Sequence, residues 1–74
     1  MNTAYLFVVK FGDDAQKASL RNTIYDVTGY DAWINDDGNV VLSCLVANLG
    51  GLLSALASSK LTNWIEYTIQ FDAY

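Results

Sequence analysis

The sequence predicts an α+β fold: one four-stranded antiparallel sheet with two helices on one face, in the order β-α-β-β-α-β. Three observations predict it. Apolar or strictly alternating runs recur where strands are needed, two segments carry leucine and isoleucine at helical spacing, and glycine or Asp-Asn chemistry separates them. Short connections between six such elements leave few topologies, since each strand-helix-strand unit must cross over right-handedly.

The first strand is read at Tyr5 to Phe11, a run of aromatic and β-branched residues broken by Gly12. Asp13 is a natural N-cap, and Gln16 three positions on completes a capping-box pattern. Leu20, Ile24 and Val27 then share one helical stripe, with Lys17, Arg21 and Asp26 pointing elsewhere, and Thr28-Gly29 supplies the stop. Tyr30 to Asn35 alternates, with Tyr30, Ala32 and Ile34 on one side and Asp31, Trp33 and Asn35 on the other. Asp36-Asp37-Gly38-Asn39 is hairpin chemistry, and Val40 to Val46 is a near-continuous apolar strand. Asn48 is placed to cap a second helix with the stripe Leu49, Leu52, Leu53 and Leu56. Gly50 and Gly51 weaken its first turn, and close approach to the sheet is the expected reason for them. Lys60 to Asn63 is read as a return loop. Trp64 to Asp72 alternates again, with Ile65, Tyr67, Ile69 and Phe71 opposite Trp64, Glu66, Thr68, Gln70 and Asp72. Two units joined by a tight hairpin interleave as the ferredoxin-like arrangement, and residues 1–74 are read as one such domain without repeats or linkers.

Composition narrows function by exclusion. With 53% apolar and 16% charged residues the chain is too hydrophobic to be disordered. No apolar run approaches the ~18 residues that span a bilayer, and no basic stretch precedes the first apolar run as in a signal peptide. Cys44, the one cysteine, excludes an internal disulfide and suits a cytoplasmic location. Eight acids against four bases give a net charge of −4, and Lys10, Lys17, Arg21 and Lys60 are scattered, so nucleic acid is not the expected partner. A basic protein surface is. Without histidine the Ser-His-Asp and Cys-His devices are absent, and zinc sites lack ligands. Gly50-Gly51 is followed by no Lys-Ser/Thr, so it is not a phosphate loop. No enzymatic activity and no cofactor are expected.

Topology makes candidates out of ordinary residues. The loop after the first strand, the hairpin and the loop before the last strand should share one end of the sheet, bringing Asp13, Asp14, Asp36 and Asp37 to one pole with Lys60 nearby. Such a pole suits a hard cation or a basic partner, although helix capping and turn formation account for the same residues locally. The phase of the strands puts Trp33 and Trp64 on the open sheet face as interface anchors. A shift of phase by one residue would instead bury them in the core. Each outer strand is an edge, and the last one could pair with a second copy to form a homodimer.

In element order the whole chain resembles several ferredoxin-like families. The Tyr-rich first strand and acidic helix start resemble those of Cas2-like nucleases, whose metal-binding aspartate would fall where this chain has Val9-Lys10-Phe11. Gly12 resembles the loop glycine of dimeric amino-acid-sensing regulatory domains, which would imply a small-molecule ligand. Size, acidity and missing chemistry resemble the small acidic phage proteins, anti-CRISPR proteins among them, that cover a basic site on a host complex. That last resemblance implies a non-catalytic inhibitor, with Asp13, Asp14, Asp36, Asp37, Trp33 and Trp64 as its partner-binding residues.

Overall fold

Alternation along the first strand sets the layering. In β1 (Thr3–Val9), Ala4, Leu6 and Val8 are buried, while Thr3, Tyr5, Phe7 and Val9 are half-buried on the opposite side. The computed structural model describes residues 3–9 and 11–72. Lys10, which the sequence places in the first strand, and Tyr74 lie outside the described residues. The remaining elements are α1 (Asp14–Thr28), β2 (Trp33–Ile34), β3 (Val40–Leu45), α2 (Leu49–Ser58) and β4 (Glu66–Asp72), with 3₁₀ turns at Val46–Asn48 and Leu61–Asn63. The strands form one antiparallel sheet in the order β2-β3-β1-β4, the ferredoxin-like arrangement expected from the sequence.

The core lies between the helices and one face of the sheet. Ala4, Leu6 and Val8 from β1 meet Val40, Leu42 and Cys44 from β3, Leu20 and Ile24 from α1, and Leu52 and Leu56 from α2. Leu61 and Ile65 close it near the start of β4. Burying a side chain such as Leu6, Ile24, Leu42 or Leu56 contributes roughly 1.5–3 kcal/mol each, so these residues hold the layers together.

The α1 helix starts and stops as its sequence predicts. The Asp13 carboxylate accepts from the Gln16 amide at 2.9 Å, and the Gln16 side chain accepts from the Asp13 amide at 2.8 Å. Gly29, at φ 77°, ends the helix with its amide donating to the Tyr25 carbonyl. Other expectations need correction, beginning with the strands and caps: the second strand is only Trp33–Ile34 and the third ends at Leu45, with Val46 already in a 3₁₀ turn. Phe11, which the sequence places at the end of the first strand, is not part of β1 and packs against the core from outside it. Asn48 does not cap α2: the backbone is already turning through the preceding 3₁₀ turn, so Asn48 has helical angles and its side chain makes no capping bond. Gly50 and Gly51 do not approach the sheet, since a side chain at either would meet nothing within 4 Å. The last strand starts at Glu66 because Leu61–Asn63 winds into a 3₁₀ turn, in which the Trp64 amide donates to the Leu61 carbonyl at 3.0 Å.

Candidate functional site

The register fixes what shares the hairpin end of the sheet. Val8 faces Val40 on one side and Tyr67 on the other, and Val9 faces Glu66. The end of β1, the start of β3 and the start of β4 are therefore level, with the Asn35–Asn39 hairpin capping that end. Asp13 and Asp14 open α1 there, while Asp36 and Asp37 occupy the hairpin tip.

These four carboxylates have different local duties. Asp13 is committed to its helix cap. The hairpin is held by Asn35, whose side-chain oxygen accepts from the amides of Asp37 at 3.1 Å and Asn39 at 2.9 Å, with Gly38 at φ 81° completing the turn. Asp36 and Asp37 are exposed at that tip. Lys17, for which the sequence pattern indicates no role in the pole, belongs to it: its ammonium lies 3.3 Å from where a side chain on Gly38 would begin. It therefore stands beside the hairpin and offsets part of the pole's charge. Nothing local in the sequence signals that placement, which depends on how α1 lies against the hairpin. Lys60 adopts φ 62° just before the Leu61–Asn63 turn, in the connection that returns to the same end. Among the described residues, no three His, Cys, Asp or Glu side chains converge as cation ligands.

Both tryptophans are exposed, so neither belongs to the core. Trp33 pairs with Val41 on the open face, two residues below the hairpin, and is 41% exposed. Trp64 is 78% exposed, but it precedes β4 and so is not on the sheet face where the alternation placed it. It lines a shallow groove of about 300 Å³ with Val9, Phe11, Asn63, Ile65 and Glu66. The two tryptophans thus flank the acidic end, one beside each outer strand. No family model, curated protein or solved structure matches the chain.

The open face also contains residues that strand periodicity alone did not single out. Cross-strand partners share a face, so Phe7, Val41 and Trp33 form one apolar row, and Tyr5 lies beside Phe7 with ring centroids 6.4 Å apart. The signal was present in β1, because a strand apolar at nearly every position has apolar residues on both faces. Cys44 lies on the core side, where burial raises its thiol pKa and leaves the unreactive protonated form favoured. No helix among the described residues is long and apolar enough to cross a membrane.

Proposed function

We propose that this chain is a non-catalytic protein-binding module that uses its hairpin end to cover a basic site on another protein. The observation carrying this reading is the exposed Trp64 ring at the same end of the sheet as Asp36 and Asp37. Aromatic side chains beside a charged rim supply desolvated contact area, and opposite charge speeds encounter. A small acidic inhibitor of a host defence complex, of the anti-CRISPR kind, has this character, and cytoplasmic action suits the lone thiol.

The test is retention of a partner from a lysate of the source cells, with the wild-type chain and two variants compared in parallel. Asp36→Asn/Asp37→Asn and Trp64→Ala should each release a basic partner that the wild type retains, and rising salt should release it too. Both variants should keep the native far-UV circular dichroism spectrum. Unaltered retention by both would remove the hairpin end from the binding surface.

A further inference from the structure

The two edges of the sheet are unequal. β2 offers two residues, while β4 offers seven, and among the described residues β4 pairs only with β1. Within that sheet its outer backbone row faces no further strand over Glu66–Asp72, which makes it a ready template for one. Its two faces differ in chemistry. Tyr67, Ile69 and Phe71 stand opposite Val8, Leu6 and Ala4, on the helix side of the sheet. The helices leave this margin uncovered, so Phe71 is 60% exposed and Tyr67 is 36% exposed. Glu66, Thr68, Gln70 and Asp72 stand on the open face, with a carboxylate at each end of the row.

We infer that β4 is a docking edge for an extended basic segment of a partner protein, which adds as a fifth strand. This rests on the reading that the partner is basic, and it specifies the form in which the partner's charge is presented. Side chains on an added strand alternate between the faces. A segment with cations six positions apart sets them against Glu66 and Asp72, while apolar residues between them cover Tyr67, Ile69 and Phe71. Main-chain hydrogen bonds supply affinity and the alternating side chains supply selectivity. A second copy of this chain fits less well. In the antiparallel register that pairs all seven residues about Ile69, Glu66 of one chain meets Asp72 of the other at both ends, and like charges directly opposite are destabilising.

The probe is the synthetic peptide KVTVTVK, capped at both ends, with EVTVTVE as its charge-reversed counterpart and amide NMR shifts as the readout. KVTVTVK should perturb the β4 amides and slow their hydrogen exchange, and EVTVTVE should bind about tenfold more weakly. Glu66→Lys/Asp72→Lys should reverse that preference. Alternate residues of an added strand direct their N–H groups toward β4, so N-methylation of one alternate set should abolish binding and methylation of the other should spare it. Equal affinity for the two peptides, equal tolerance of both methylation patterns, or shifts confined to residues off β4 would overturn the inference. So would sedimentation showing that the wild type occupies β4 with its own second copy. Asp36→Asn/Asp37→Asn separates this inference from the reading on which it rests. If the hairpin variant loses the cellular partner while Glu66→Lys/Asp72→Lys retains it, the edge inference fails and the hairpin reading stands. If the edge variant loses the partner while the hairpin variant retains it, the edge inference stands and the hairpin tip is not the contact.

Discussion

Aspartates that look alike in sequence differ in what the fold asks of them. Asp13 accepts from the Gln16 amide and so satisfies a donor that the first turn of α1 leaves without a helical partner. Asp13→Ala should therefore lower stability by about 1 kcal/mol, whereas Asp13→Asn, which keeps an accepting oxygen, should cost only a few tenths. Asp36→Asn and Asp37→Asn should stay within about 0.5 kcal/mol of wild type, because Asn35 makes the side-chain bonds that shape that turn. Urea midpoints at constant m-value measure all four substitutions. An Asp13→Ala midpoint equal to wild type would show that the cap contributes nothing. The cap was legible in the sequence because Asp13 and Gln16 lie one turn apart and need no tertiary partner. The neighbourhood of Lys17 was not legible, because its approach to Gly38 exists only once α1 lies beside the hairpin.

Element boundaries show where local pattern stops deciding. The alternation from Tyr30 to Asn35 continues beyond the ladder, yet β2 contains only Trp33 and Ile34. The Arg21 side chain donates to the Ala32 carbonyl at 2.9 Å, so α1 supplies the partner for a backbone acceptor just before β2, where the register turns it away from β3. At β4 the alternation was in phase from Glu66 onward, but burial of Leu61 in a 3₁₀ turn kept Trp64 off the sheet. In α2 the leucine stripe was correct, with Leu52 and Leu56 buried and Leu49 and Leu53 packed beside the core. The glycines within it have no packing purpose. An added methyl meets nothing within 4 Å at Gly50 or Gly51, and the backbone there is already helical. Each of Gly50→Ala and Gly51→Ala should therefore add about 0.4–1 kcal/mol, chiefly by restricting the unfolded chain. For a domain of this size, ~4–8 °C in Tm accompanies each kcal/mol, so calorimetry on the double variant resolves the gain. A drop in Tm would mean that these positions require glycine for a reason outside helix propensity.

At the scale of the whole molecule, the unpaired edge proposed as a docking strand also exposes the chain to self-pairing. A long edge bearing the alternating set Tyr67, Ile69 and Phe71 is the kind of strand that joins its copies, and proteins commonly guard such strands with charge. Glu66 and Asp72 are placed for that duty, since pairing of the full edge about Ile69 sets acid against acid at both ends, and the net charge of −4 adds a weaker general repulsion between chains. Replacing both by their amides, Glu66→Gln/Asp72→Asn, removes the end-to-end repulsion while preserving side-chain size and the apolar row. That variant should associate more strongly than wild type in sedimentation experiments, and its association should respond less to salt, because screening has less charge to hide. Phe71→Ser in the same background should return it toward the wild-type behaviour by removing the most exposed ring of the strand's apolar row. If the amide variant sediments as wild type does, the two carboxylates are not the guards of this edge, and the selectivity argued for a basic strand over a second copy loses its electrostatic basis.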